Sequence, residues 1–245
     1  MKAVGIIPAR FASSRFPGKP LALIAGKTMI RRVYEKASEA ASLSKVLVAT
    51  DDERIFSEVE SFGGVAVMTS PGCASGTDRI AEAAAGTDAE VVLNIQGDEP
   101  LLDPSSLDLL VSLFREDRGL KLGTLVAPLT DEEELADPGV VKVAMAADNS
   151  CLYFSRSPIP YLRDMAFRDF AFWKHIGIYG FRKEFLFEFT RLPQGRLEVA
   201  ESLEQLRALE NGVVIKAAKM PGWKGVSIDF PGDITAAEEI IKKGG

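Results

Sequence analysis

The chain of 245 residues can bury a full core, and because α/β domains often reach this size as one unit, its length alone does not demand two domains. Hydrophobic residues make up 47% and charged residues 26%, ordinary globular proportions that exclude a disordered, fibrous or repeat protein. A formal net charge of −6 leaves no global basis for binding nucleic acid, so an anionic ligand has to be held by a local device.

In chain order, Lys2 to Ala9 reads as a buried strand, and a loop of small residues and cations follows it. Thr28 can cap a helix running to Ser38, with Met29, Ile30, Val33 and Ala37 at helical spacing. KVLVAT is the next strand, followed by a helix over 52–62; VAVMT is a third strand, followed by the helix SGTDRIAEAAA; VVLNI is a fourth, followed by QGDEP and the helix PSSLDLLVSLF. Strand and helix thus alternate four times in the first half, the pattern of right-handed βαβ units in a parallel sheet covered on both faces. Ligands of such sheets sit beyond the carboxyl ends of the strands, which directs attention to the loops after Ile7, Thr50, Thr69 and Ile95.

The second half reads differently. LGTLVAPL, VVKVAMAA, CLYFSR and HIGIYGF are strand-like, helices are expected over 182–191 and 197–210, and VVIKAAKM is a strand before a closing helix. Of 20 aromatic residues, 12 fall between Tyr153 and Phe189, which predicts extra buried surface there, as core, as a sugar pocket or as a dimer contact. Cys73 and Cys151 lie far apart without CxxC spacing, the usage of a reducing, cytoplasmic setting. The first apolar run is cut by Pro8 and Arg10, too short for a secretory signal, and no later run reaches membrane-spanning length.

Four stretches carry candidate chemistry. PARFASSRFPGKP lacks the spacing of a Walker loop or a dinucleotide fingerprint, yet its small residues admit backbone amides to an anion while Arg10, Arg15 and Lys19 supply cations; the alternative is a solvated basic turn. QGDEP sets Asp98 and Glu99 at the end of the fourth strand, where a carboxylate can hold Mg²⁺ or simply cap the next helix. SGTDR offers hydroxyls and a cation, with Ser75 equally a helix cap. SIDFPGDI places Asp229 before a proline, a helix start that gains meaning as a partner of Asp98. His175, the one histidine, shares a strand face with Tyr179, and Glu204 and Gln205 lie on a helix where Glu204 can pair with Arg207.

Taken in order, IIPARFASSRFPGKPL, VATDDERI, MTSPGCASGTDRIAEA, NIQGDEP, VKV, LYFSRSPIPY, HIGIYGFR and LEQLRALENG resemble the 3-deoxy-manno-octulosonate (KDO) cytidylyltransferases over essentially the whole chain. The resemblance implies one nucleotidyltransferase domain over 1–245, with a nucleotide-binding half (1–130) and a half for sugar binding and dimerisation (131–245). It implies a mostly parallel Rossmann-like sheet of the nucleotide-diphospho-sugar transferase fold, a homodimer, and a Mg²⁺-dependent reaction of CTP with KDO for lipopolysaccharide synthesis. By motif, Arg10, Ser13, Arg15 and Lys19 would bind the CTP phosphates and nucleotide, and Ser75, Thr77 and Arg79 would lie by the cytidine. Asp98 and Asp229 would hold magnesium, Lys19 and Arg15 would stabilise the leaving pyrophosphate, and Arg156, His175, Tyr179, Glu204 and Gln205 would line the sugar side. Two departures touch sugar preference and dimer contacts: Phe230 and Gly232 stand where the family carries threonine and glutamate, and the segment 161–173 is shorter than in many members. An 8-amino analogue of KDO or a sialic acid is the neighbouring substrate reading, and a non-catalytic nucleotide-binding protein is the rival of another class.

Overall fold

The structure, a computed structural model, describes residues 1–12 and 16–242. The first half runs β1 (Ala3–Ala9), a hairpin of β2 (Leu23–Ile24) and β3 (Lys27–Thr28), α1 (Met29–Ser38), β4 (Leu43–Thr50), α2 (Glu53–Ser61), β5 (Ala66–Met68), α3 (Gly76–Ala85), β6 (Val91–Asn94) and α4 (Pro104–Glu116). The second runs β7 (Leu122–Leu129), α5 (Glu132–Ala136), β8 (Lys142–Met145), β9 (Cys151–Ser155), β10 (Phe172–Arg182), α6 (Lys183–Phe189), α7 (Arg196–Glu201), α8 (Leu206–Glu210), β11 (Ile215–Lys219) and α9 (Asp233–Lys242).

The main sheet has the order β11-β7-β10-β6-β1-β4-β5, with β8 and β9 extending from β10. Strands β6, β1, β4 and β5 are parallel, as the alternating pattern requires, and β11 is parallel to β7. Strand β10 enters antiparallel to both β6 and β7, joining the two parallel blocks. Side chains of β1 alternate between two cores: Ala3 and Ile7 face the layer of α1, α2 and α4, while Val4 and Ile6 face that of α3, α6 and α8. A third, small core joins Ile24, Met29, Ile228 and Ala237, so the C-terminal helix packs on the segment that follows the first loop.

After β1 the chain builds outward through β4 and β5, then crosses back so that β6 pairs with the other edge of β1. The loops after β1 and β6 therefore leave adjacent parallel strands in opposite directions, and the crevice between them is the topological switch point where such sheets take their ligands.

Two elements differ from the sequence reading. The expected helix over 197–210 is broken at Ser202, which takes a left-handed conformation at φ 53°, and the buried Leu203 turns inward before α8 begins. The β2–β3 hairpin, absent from the sequence reading, turns through Ala25 at φ 44° and Gly26 at φ 79°, so only one of its two left-handed positions carries the glycine that marks such a turn.

Candidate active site

The loop leaving β1 is closed on itself before it reaches Lys19. Gly18 N–H donates to Phe11 O at 2.9 Å, and Gly18 sits at φ 72°, a left-handed position that glycine takes without cost. A short 3₁₀ turn over Lys19–Leu21 follows and aims Lys19 back at β6. Its ammonium donates to Asp98 Oδ2 at 2.7 Å and lies 3.9 Å from Asp229 Oδ1. Arg10 turns to the other side and donates to Cys73 O at 2.9 Å, tying the first loop to the one after β5. Pro8, Ala9, Arg10, Lys19, Gly76, Gln96, Gly97 and Asp98 enclose an open cleft of about 240 Å³. The structure thus gathers Arg10, Lys19, Asp98 and Asp229 at the switch point; Ser13 and Arg15 lie outside the described residues.

Glu99 does not join its neighbour in the cleft. It is buried, and its Oε1 accepts from Ser227 Oγ at 2.5 Å. Burial first, and then the charges of Asp98 and Asp229, push its carboxyl up to about 7 against the opposing pull of the Ser227 hydroxyl.

The first turn of α3 borders the cleft at Gly76. Ser75 caps this helix in a reciprocal box with Asp78, its Oγ accepting from Asp78 N–H at 3.0 Å, so the helix-cap reading of Ser75 holds. Thr77, the next residue in, donates its hydroxyl to the Glu204 carboxylate, which joins the turn between α7 and α8 to the cleft. Glu204 is raised above the ordinary carboxyl range by burial, partly offset by Thr77. Arg207 pairs with Glu198 at 2.5 and 2.8 Å and comes only within 4.0 Å of Glu204, so the expected Glu204–Arg207 pair is secondary. Gln205 is buried nearby, and its Nε2 has no hydrogen-bond partner among the described residues.

On β10, His175 and Tyr179 do share a face, with ring centroids 5.2 Å apart, although the pairing with β7 shifts between Ile176 and Tyr179. Gln96 of the cleft donates to Gly177 O at 2.9 Å, which ties this stretch of β10 to the cleft. Thr124 Oγ1 donates to Ile178 O at 2.9 Å and meets His175 Nε2 at 2.9 Å; with the hydroxyl proton committed to the carbonyl, Nε2 carries the imidazole proton. Burial pushes His175 down to about 3, and burial together with the Glu204 charge raises Tyr179 well above its ordinary value, so both rings are neutral near pH 7.

Two predicted residues act from behind. Arg156 donates to the carbonyls of Glu201 at 2.8 Å and Pro138 at 2.9 Å, bracing the turn that carries Glu204. Arg79 is fully buried and committed to Asp51 at 2.8 Å and Thr69 at 2.5 Å, where it joins the loops after β4 and β5. Sequence reasoning passed over Gln96, Thr124 and Ser227; only Thr124, a polar residue within an apolar strand, leaves a signal.

Cations and carboxylates thus converge at the switch point of a mostly parallel sheet, beside buried polar side chains, an arrangement that suits a nucleotidyltransferase. The cytidylyltransferase family matches residues 4–218. The chain is 50% identical to the 3-deoxy-manno-octulosonate cytidylyltransferase of Myxococcus xanthus, covering 100% of this chain and 98% of that protein. It is equally 50% identical to the 8-amino-3,8-dideoxy-manno-octulosonate cytidylyltransferase of Shewanella frigidimarina, covering 97% and 98% respectively. A solved structure of CMP:2-keto-3-deoxy-manno-octonic acid synthetase complexed with CTP superposes with a TM-score of 0.94 at 40% identity, covering 99% of both chains. The chain belongs to the cytidylyltransferase family, among the 3-deoxy-manno-octulosonate cytidylyltransferases.

Proposed function

We propose that this chain transfers the cytidylyl group of CTP to 3-deoxy-manno-octulosonate, giving CMP-KDO and pyrophosphate for lipopolysaccharide synthesis. The observation that carries the reading is the meeting of Lys19 with Asp98 and Asp229 at the switch point, in a chain that superposes on a CTP-bound synthetase with a TM-score of 0.94. Residues 1–130 supply the nucleotide side, and the later half supplies the sugar side and the dimer contact.

The anomeric hydroxyl of the sugar attacks the α-phosphorus in line. The new bond joins the sugar oxygen to phosphorus, the bond from phosphorus to the bridging oxygen of the β-phosphate breaks, and the hydroxyl proton leaves to solvent. In an anionic protein the triphosphate needs local countercharge, which Arg10, Arg15 and Lys19 provide; Lys19 and Arg15 also hold the leaving pyrophosphate. Ser13 and the first turn of α3, with Thr77, border the nucleotide. Glu204, Gln205, Tyr179 and His175 orient the sugar, with Arg156 bracing their turn. His175 is no general base here, since burial pushes its imidazole down to about 3, too weak a base to take the proton, and its Nε2 faces Thr124.

Asp98 and Asp229 suit Mg²⁺. Both reach within 4 Å of one ammonium, so the pair already accommodates a cation between hard oxygen donors. Among the described residues no three or more Asp, Glu, His or Cys side chains form a metal cage, which suits an ion that completes its shell with phosphate and water. When bound it supplies positive charge at the α-phosphate and acidifies the attacking hydroxyl.

A second sugar, 8-amino-3,8-dideoxy-manno-octulosonate, is favoured by the equal identity to the Shewanella protein. Turnover of the two sugars side by side tests the reading: a higher kcat/KM for KDO supports it, and a higher value for the amino sugar transfers the assignment to that substrate. The homodimer is supported by an exposed apolar surface around Tyr161 (88% exposed) and Met165, beside stacked Phe167 and Phe172. Among the described residues no helix is long and apolar enough to cross a membrane.

A further inference from the structure

Asp229 arrives at the cleft on a segment without regular structure: no residue from Pro221 to Phe230 belongs to a helix or strand. A hydrogen-bond ladder therefore does not fix its carboxylate opposite Asp98. Two contacts tie the segment to the turn after β6, while Asp229 N–H itself donates to Asp233 Oδ2 at 2.8 Å at the start of α9. Ile228 N–H donates to Asp98 O at 2.9 Å, and Ser227 Oγ donates to Glu99 Oε1 at 2.5 Å. The two bonds join consecutive residues on each side, so the segment is held at two adjacent points immediately before Asp229.

The packing around Glu99 is close. A side chain at Gly225 would place its first carbon 2.9 Å from Glu99 Oε2 and 2.1 Å from the Trp223 ring, so only glycine lets the backbone pass this near. Glu99 is 8% exposed, and its Oε2 makes no hydrogen bond among the described residues. A buried carboxylate is a costly way to gain one hydrogen bond unless that bond fixes something the protein needs.

We infer that Glu99 is a positioning residue for the acidic pair, its grip on Ser227 holding the segment 225–229 against the turn after β6 and so setting Asp229 opposite Asp98. The inference rests on the reading that Asp98 and Asp229 hold the divalent ion. Glu99 itself is not a ligand in this scheme, because its Oε1 is engaged by Ser227 and its Oε2 packs against the backbone at Gly225.

The test uses the full chain with four substitutions, Glu99→Ala, Glu99→Gln, Ser227→Ala and Asp229→Asn. Two quantities are read: the hydrogen-exchange rate of the Ile228 amide without metal, and Mn²⁺ binding in the presence of CTP, from the free Mn²⁺ signal in electron paramagnetic resonance. Glu99→Ala and Ser227→Ala should each speed the exchange and weaken Mn²⁺ binding by roughly 10- to 100-fold. Glu99→Gln, whose carbonyl still accepts from Ser227, should stay near the unsubstituted protein in both. Combining Glu99→Ala with Ser227→Ala should add little to either alone, as expected of two halves of one contact. Folded Glu99→Ala protein with unchanged exchange and affinity overturns the inference, and so does Glu99→Gln as damaging as Glu99→Ala, which would make Glu99 a ligand. Should Glu99→Ala fail to fold, Ser227→Ala decides in its place. Full Mn²⁺ affinity in Asp229→Asn overturns the metal reading instead, and the exchange of Ile228 then judges Glu99 alone.

Discussion

Lys19 and Asp98, separated by 79 positions in the chain, meet through a 2.7 Å bond between ammonium and carboxylate across the crevice between β1 and β6. The pair lies where two loops diverge, so neither residue is held there to stabilise an element of its own. Partly exposed ion pairs contribute little to folding, about 1 kcal/mol or less.

Asp98→Asn should therefore separate function from folding. Turnover is expected to fall by about 100-fold or more, while unfolding free energy changes by no more than about 1 kcal/mol. Steady-state pyrophosphate release and urea denaturation on the same preparation check both halves. Unchanged turnover would remove Asp98 from the reaction.

Arg207 should behave in the opposite way. Its guanidinium makes two bonds to Glu198 in a site where the side chains are 10% and 7% exposed, and the pair braces the turn carrying Glu204 and Gln205. Removing one partner of such a buried pair strands the other, so Arg207→Met should cost about 3–5 kcal/mol by urea denaturation. Replacing both, as Arg207→Met with Glu198→Leu, should recover part of that loss, because no uncompensated charge remains buried.

His175 gives the enzyme an acid-sensitive element. Its imidazole is held neutral down to about 3 by burial, whereas in the unfolded chain it takes up a proton near the ordinary 6.5. Between these values the unfolded state binds more protons, so the stability due to this group is complete above about 6.5 and is lost progressively as pH falls toward 3. At pH 5 the loss amounts to about 2 kcal/mol. His175→Gln should flatten the stability profile between pH 7 and pH 5, measured as the denaturation midpoint across that range; a profile as steep as the parent's would place the acid sensitivity elsewhere.

Much of this architecture was legible in the residues. The alternation of short apolar runs with helical spacing identified β1, β4, β5 and β6 and their helices, because both periodicities are local properties of the chain. The switch point then followed from the rule for parallel sheets, which is why Lys19 and Asp98 could be expected to face one another. What was hidden depends on contacts between distant segments. Strand β10 reads as a strand, but nothing in HIGIYGF tells that it inserts antiparallel between β6 and β7. The residues 197–210 carry a continuous helical signal, and it takes the burial of Leu203 and the reach of Arg207 to Glu198 to break the helix at Ser202. Arg79 shows the same limit: a cation in SGTDR reads as a ligand, and only the fold reveals Asp51 and Thr69 waiting for it. Glu99 was visible as half of an acidic pair, yet its partner Ser227 is 128 positions away.

The most direct measurement offers the purified protein CTP, UTP, ATP and GTP in turn with Mg²⁺, with and without KDO, and follows ³¹P resonances. Pyrophosphate and a new sugar phosphodiester should appear together, in equal amounts, with CTP plus KDO and with no other combination. Pyrophosphate released without sugar, or no phosphodiester from CTP and KDO, would contradict the transfer of a cytidylyl group to this acceptor.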